Sequence, residues 1–181
     1  MLLNTDLPIA VDYYHSVAPQ IPIFEELLQL AFIEVIRKDC HNENADKAQY
    51  IQTVLALLVA PTAAVRFEAA ATLVFLTSHG SAIKSAASCY IDLAVKESDN
   101  SVKLIVLERL DELRKQSDRL LEDIAMDILR VMTSPDLQVR QKALKLVLDL
   151  ITSRTVETIL AFLKKELTKT LAQGYEKVPW I

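Results

Sequence analysis

Two cysteines and three histidines are the residues best suited to chemistry, and only one pair of them is adjacent. Cys40 and His41 lie next to each other in the polar segment 39–46. A zinc site at this pair would need two more ligands, and none stands at a suitable spacing. The pair is therefore predicted to belong to an ordinary exposed loop, and no metal or other cofactor is expected.

The remaining candidates for catalysis are isolated. Cys89 stands among small apolar residues of a predicted helix, which favours a role as a core side chain. His15 and His79 lie at predicted helix ends, where a solvated or dipole-facing histidine is common. Gly80 and Gly174 are the only glycines, too few for a Walker A loop or a dinucleotide fingerprint. The chain is therefore predicted not to be an enzyme.

Six basic residues towards the C-terminus form a candidate binding patch. If the two helices that carry them stack, some of these side chains would share one surface. Such a surface would suit an acidic partner or phospholipid headgroups. The alternative is that these are lysines near helix C-termini that give routine solubility. The six residues are Arg140, Lys142, Lys145, Lys164, Lys165 and Lys169.

Composition indicates helices. The 181 residues are 51% hydrophobic but include only two Gly and six Pro, whereas a β-sandwich or α/β fold would need many more turn glycines. The net charge is −4 with both signs interspersed, which disfavours nucleic-acid binding because that needs a concentrated basic surface. The apolar run Val54–Pro61 is far shorter than the ~20 residues of a membrane span. A cytoplasmic all-α protein is expected.

An internal repeat of 37 residues is the strongest signal in the sequence. Three segments that begin at Thr62, Asp99 and Asp136 align without gaps, and their apolar positions follow helical spacing. Three copies in register over this many positions indicate one structural unit used repeatedly. The aligned columns are Val65, Val102 and Val139; Arg66, Lys103 and Arg140; Ala69, Val106 and Ala143; Leu73, Leu110 and Val147; Leu76, Leu113 and Leu150.

A second set of helices alternates with these segments, so each unit is a helix, a short turn and a second helix. A two-helix unit of this length is typical of a HEAT-like α-solenoid. We predict a superhelical stack of about nine helices, with first helices on one face and second helices on the other. Leading helices with proline boundaries occupy 1–45, the repeats 46–172, and a C-terminal tail 173–181. The predicted helices are 7–17, 23–38, 46–58, 62–76, 81–95, 99–113, 118–132, 136–150 and 155–171.

Polar residues recur at the start of each aligned segment. Asp99 and Asp136 are placed to accept hydrogen bonds from the free N–H groups of a helix N-terminus. The basic residue four positions later is predicted to reach an acid in its own or the neighbouring unit. Each such surface pair contributes only ~0–1 kcal/mol, so the pairs would set register more than stability.

Two apolar side chains are not accounted for by this packing. Leu104 points almost opposite the buried face of its helix, at ~100° per residue, and Phe67 occupies the same column one unit earlier. Leu107 lies on a flank and is expected to contact a neighbouring helix. Phe67 and Leu104 are predicted either to form an exposed strip that binds a partner or to be partly buried against neighbouring side chains.

Two long runs resemble a known family. The runs 89–113 and 120–170, together with Val65–Ser78, are similar to the adaptin-like N-terminal trunk of coatomer β subunits, over about Tyr50–Thr170. The resemblance implies a non-enzymatic scaffold in the COPI coat, active in vesicle transport between ER and Golgi. It also implies an internal segment of a longer trunk.

The family resemblance implies partners as well. They are other coatomer subunits, with the δ subunit expected, and an Arf-type small GTPase that recruits the coat to Golgi membranes. Association with the membrane would be peripheral. No motif here allows the GTPase contacts of the family to be transferred to particular residues. The alternatives are another HEAT-type scaffold, either a clathrin-adaptor large chain or a transport receptor, and a helical-repeat nucleic-acid-binding enzyme, which the acidic balance disfavours.

Overall fold

The computed structural model describes residues 6–117 and 124–172, and no β-strand occurs within them. The all-α solenoid prediction is confirmed, with nine α-helices in this part of the chain. They are α1 (Leu7–Val17), α2 (Glu26–Asp39), α3 (Lys47–Leu57), α4 (Ala63–Leu76), α5 (Gly80–Lys96), α6 (Asn100–Gln116), α7 (Ala125–Ile128), α8 (Leu137–Asp149) and α9 (Val156–Ala172).

The helices are arranged in two layers. One layer contains α2, α4, α6 and α8, with α2 packed on α4 and α6 packed on α8. The other contains α3, α5 and the segment around α7, and each of its helices packs against members of the first layer. Every unit therefore places its two helices on opposite faces of the stack. The predicted division at residue 45 stays a prediction, and the predicted tail 173–181 lies outside the described residues.

The apolar 37-residue columns line the core of the stack, with Leu76 and Val102 only partly buried against it. Ala69, Val106 and Ala143 are all completely buried. Small or β-branched side chains at this column allow the helix backbones to approach each other closely, as dense packing requires. Leu107 is also completely buried, as expected for a flank that meets a neighbouring helix. Periodicity in the sequence thus predicts the buried face correctly.

Side-chain caps define the starts of several helices. Asp99 accepts a hydrogen bond from the Ser101 N–H at 2.7 Å, and Asp136 accepts one from the Val139 N–H at 2.9 Å. Asp46 caps α3 in the same way. Each cap satisfies an N–H group that lacks a partner within the helix, a contribution of about 1 kcal/mol.

A 3-10 helix, Ala18–Ile23, separates α1 from α2. Pro19 and Pro22 have no N–H to donate, so an α-helix cannot continue through this segment. Gln29, which is buried, donates from its amide nitrogen to the carbonyls of Ile21 at 3.2 Å and Pro22 at 3.0 Å. The predicted helix 23–38 therefore begins later, at Glu26.

The predicted helix that follows the segment from Asp99 differs most from expectation. A continuous helix over 118–132 was predicted, but the described part contains the short α7 followed by a 3-10 helix, Leu129–Thr133. Residues 118–123 lie outside the described residues. Ser134 is extended because Pro135 follows it, and a tightened 3-10 turn is common where a helix must end.

Candidate functional site

The basic column at the start of each repeat forms bonds of two kinds. Arg66 bonds the Asp92 carboxylate at 2.6 Å and the Leu58 carbonyl at 3.1 Å, so it reaches an acid in its own unit as predicted. Arg140 instead donates to the carbonyls of Ser134 and Pro135. Arg66 and Arg140 therefore fasten α4 and α8 to the turns before them.

Charged and polar side chains join successive units at positions outside that column. Arg37 of α2 bonds both the Glu68 carboxylate and the Thr72 hydroxyl of α4. Asn100 of α6 donates to Asp136 of α8 at 3.1 Å. These bonds lie within the layer of α2, α4, α6 and α8, and they fix the lateral spacing of its helices.

A groove of about 450 Å³ interrupts this layer between α4 and α6. Its floor comes from Tyr90 of α5, and its walls combine apolar side chains with two arginines and two glutamates. A groove of this size lies within the range of small-ligand and peptide sites. The lining residues are Arg37, Phe67, Glu68, Ala71, Val74, Phe75, Tyr90, Arg109, Glu112, Leu113 and Gln116.

Aromatic rings dominate the α4 side of the groove. Phe67 packs on Tyr90 with ring centroids 5.7 Å apart. Phe75 is 55% exposed and has the edge of His41 against it, with centroids 5.6 Å apart. The column of Phe75 holds Glu112 and Asp149 in the later copies, so an aromatic residue at a position otherwise acidic was the signal in the sequence that could have found this site.

Ion pairs line the polar side of the groove. Arg109 donates to Glu112 at 2.7 Å, and Arg37 is paired with Glu68. Burial raises the pKa of the Tyr90 hydroxyl, with Arg109 among the nearby charges that oppose the rise. Tyr90 is therefore neutral at physiological pH and available as a hydrogen-bond donor. Sequence analysis identified Phe67 but none of these polar residues.

The predicted strip of Phe67 and Leu104 has a definite position. Both side chains are partly buried and pack against the core. Phe67 lines the groove, whereas Leu104 lies on α6 next to Ile105, which is 51% exposed. Binding of a partner by the strip stays a prediction.

The six basic residues are distributed over α8 and α9. Lys142 forms an ion pair with Glu108 at 3.7 Å. Lys145, Lys164 and Lys165 are exposed. Because Arg140 is directed to the turn before its helix, it does not extend an open patch with the exposed lysines. Lys169 lies on α9, but its side chain is outside the described part.

The other candidates for chemistry are dispersed. The Cys40 thiol is buried and bonds the Arg37 carbonyl at 3.0 Å. Cys89 is also buried. Burial raises the pKa of its thiol, and a thiol with a raised pKa is less reactive. Within 6–117 and 124–172, no three His, Cys, Asp or Glu side chains gather as metal ligands. None of the helices there is long and apolar enough to cross a membrane.

Comparison with known families agrees with this architecture. The model of the family described as adaptin N-terminal region matches residues 4–177, a span that includes every described helix. The chain belongs to the adaptin N-terminal region family. This adaptin-family chain carries the repeat columns, the inter-unit bonds and the groove within the matched span.

Several similar proteins are coatomer β subunits. The chain is 49% identical to coatomer subunit beta of Pongo abelii over 172 residues, 94% of its length. It is 41% identical to that of Dictyostelium discoideum over 177 residues and 47% identical to coatomer subunit beta-2 of Oryza sativa over 169 residues. The chain spans 18–19% of the length of these relatives. The resemblance found in the sequence is thereby confirmed.

Proposed function

We propose that the chain is a non-enzymatic scaffold segment of a COPI coat subunit and that it acts in ER–Golgi transport through protein–protein contacts. The observation that carries this proposal is 41–49% identity to coatomer β subunits across 93–98% of the chain. That identity supports a coat subunit over the clathrin-adaptor and transport-receptor alternatives. A solenoid suits such a role because its extended surface can contact several partners.

The proposed partners are other coatomer subunits, with the δ subunit first, and a GTP-bound Arf-type small GTPase. Recruitment by the GTPase would place the chain in the cytoplasm, peripherally bound to Golgi membranes and COPI vesicles. The family resemblance supports both assignments. The bonds between units support a surface of fixed shape, because Arg37 and Glu68, or Asn100 and Asp136, hold neighbouring helices at set spacings.

One proposed contact surface is the strip of Phe67 and Leu104. Leu104 is partly buried beside Ile105, and exposed isoleucine next to a partly buried leucine is an apolar surface that a partner could cover. A partner seated there would bury Leu104 completely, at a gain of roughly 25 cal/mol per Å² of apolar area.

A second proposed contact involves the basic side chains of α8 and α9. Lys145, Lys164 and Lys165 are exposed, and each lysine near an anionic surface contributes about 1 kcal/mol of attraction. Co-sedimentation with vesicles that contain anionic phospholipid tests this contact. Binding that falls when all three are replaced by glutamine supports it, and equal binding by both proteins contradicts it.

Co-expression with the coatomer δ subunit, followed by size-exclusion chromatography, tests the proposed partnership. The two chains should elute together, and Leu104→Asp should weaken the complex. Elution of two folded, separate proteins would contradict the partner assignment. In parallel, immobilised chain should retain an Arf-type GTPase loaded with a GTP analogue more strongly than the same GTPase loaded with GDP.

A further inference from the structure

The outer side of α1 and α2 carries four large apolar side chains that remain in contact with solvent. Ile9 and Tyr13 stand one turn apart on α1, and Leu27 and Leu28 lie in the first turn of α2. All four are between 51% and 80% exposed. At ~100° per residue, Leu27 lies directly opposite Ile36, which is completely buried. The four side chains therefore point away from the core.

Aromatic contacts join the two helices into one apolar surface. The ring of Tyr13 stacks on Phe32 with centroids 6.0 Å apart, and the ring of Phe24 lies at the same distance from Phe32. Leu28 stands one turn before Phe32 on α2, so the two share one side of the helix. A continuous exposed apolar surface marks a binding site in soluble proteins. This surface, the α1–α2 face, consists of Ile9, Tyr13, Phe24, Leu27 and Leu28.

Negative charge borders the α1–α2 face. Residues 6–36 contain five Asp or Glu and no Lys or Arg, so this segment alone is more negative than the whole chain, whose net charge is −4. Asp12 directly precedes Tyr13, Glu25 and Glu26 directly precede Leu27, and all three carboxylates are exposed. None of the three has a basic partner among the described residues. These carboxylates are therefore available to pair with cationic groups of a ligand.

The negative charge distinguishes between possible occupants. Anionic phospholipid would be repelled, so the face does not suit insertion into such a membrane surface. A symmetric dimer through this face would set the same carboxylates against each other, which is unfavourable. A basic helix fits best, because α2 already packs on two helices, α1 and α4, and side chains one turn apart form ridges that fit the grooves of another helix.

We propose that the α1–α2 face binds a basic amphipathic helix of another protein. The apolar stripe of that helix covers Tyr13, Leu27 and Leu28, in the manner of other amphipathic helices that bind apolar surfaces. Lysine or arginine side chains beside the stripe pair with the bordering carboxylates. The face shares no residue with the proposed strip on α4 and α6 or with the lysines of α8 and α9, so its partner is additional to those contacts.

Fluorescence polarisation with labelled peptides tests the proposal on the whole chain. The probe is Lys-Leu-Ala-Lys-Leu-Leu-Lys-Ala-Leu-Leu-Lys-Ala-Leu-Lys, whose leucines form one stripe on a helix. One control peptide has glutamate in place of every lysine, and a second has the composition of the probe in an order that breaks the stripe. We expect saturable binding of the probe and at least tenfold weaker binding of both controls.

Charge reversal on the chain tests the role of the carboxylates. Glu25→Lys combined with Glu26→Lys should weaken probe binding about tenfold and strengthen binding of the glutamate peptide. Glu43→Lys combined with Glu157→Lys is the matched control, since it makes the same change of net charge at exposed positions outside the face. Equal effects of the two double variants would overturn the proposal, because they would show attraction by net charge alone.

A third comparison tests the apolar contact. Leu27→Ser should weaken probe binding several-fold, whereas Val59→Ser, at a residue 84% exposed on another part of the surface, should leave it unchanged. Circular dichroism verifies that each variant is folded. Absence of probe binding by the folded chain would overturn the proposal. A dimer that Leu27→Ser dissociates, seen by light scattering, would also overturn it, because a second copy would then occupy the face.

Discussion

Arg114 of α6 and Asp149 of α8 form an ion pair of 3.2 Å that joins successive helices of one layer. Arg114 also bonds Asp111 of its own helix at 3.0 Å, and its side chain is only 16% exposed. A guanidinium held in this way fixes both the spacing and the rotation of the two helices. The stack of helices therefore depends on polar contacts between units as well as on its apolar columns.

Replacement of Arg114 by alanine should destabilise the chain by about 1–3 kcal/mol, because two carboxylates lose a partly buried partner. Urea denaturation followed by circular dichroism measures the change. Arg109→Ala is the matched control, since its pair with Glu112 is about half exposed on both sides and should contribute less than about 1 kcal/mol. Equal effects of the two substitutions would contradict the structural role of Arg114.

Truncation of Leu107 tests the packing between neighbouring helices. Leu107→Ala should cost about 2–5 kcal/mol because the side chain is completely buried. Ile105→Ala, two residues away on an exposed face, should change stability by less than about 0.5 kcal/mol. The same urea denaturation assay compares the two variants. A small loss of stability in Leu107→Ala would mean that the Leu107 side chain does not pack against a neighbouring helix.

The buried pair of Tyr50 and Asp39 tests the importance of polar groups near the start of the stack. The Tyr50 hydroxyl donates to the Asp39 carboxylate at 2.5 Å, and both residues are buried. Tyr50→Phe removes the donor and leaves the acceptor unsatisfied, which should cost about 1–3 kcal/mol. Tyr13→Phe is the control because Tyr13 is exposed. Thermal melting of both variants should show a lower Tm for the first only.

Acidification tests the bonds of Asp92. Burial acts to raise the pKa of Asp92, but hydrogen bonds from Lys96 and Arg66 outweigh it, so the pKa is lower than in the unfolded chain. The ionised carboxylate therefore stabilises the fold above the unfolded pKa of about 4, and this contribution is lost as pH falls through the lower folded pKa. The Tm difference between the parent chain and Asp92→Asn should be largest near neutral pH and shrink below about pH 4. A difference that stays constant would show that ionisation does not matter.

The sequence predicted the apolar columns because helical spacing within one segment determines which side of a helix is buried. Ala69 and Val106 could be assigned to the core in this way. Phe75, an aromatic residue in an otherwise acidic column, marks one wall of the groove in the sequence. The shape of the groove could not be predicted, since it depends on the separation between α4 and α6 and on Tyr90, which comes from a third helix. The partner of Arg114 was also inaccessible, because a register between helices is set by tertiary packing and leaves no local pattern.

We propose that this adaptin-family chain acts by binding other coat proteins. Capture from cytosol on the immobilised chain, quantified by mass spectrometry, tests it most directly, with Leu104→Asp as a surface variant whose folding is verified by its melting curve. We predict that other coatomer subunits will be enriched on the parent chain and reduced on the variant. Recovery of coatomer subunits no higher than on bare resin, from a chain verified as folded, would contradict the claim.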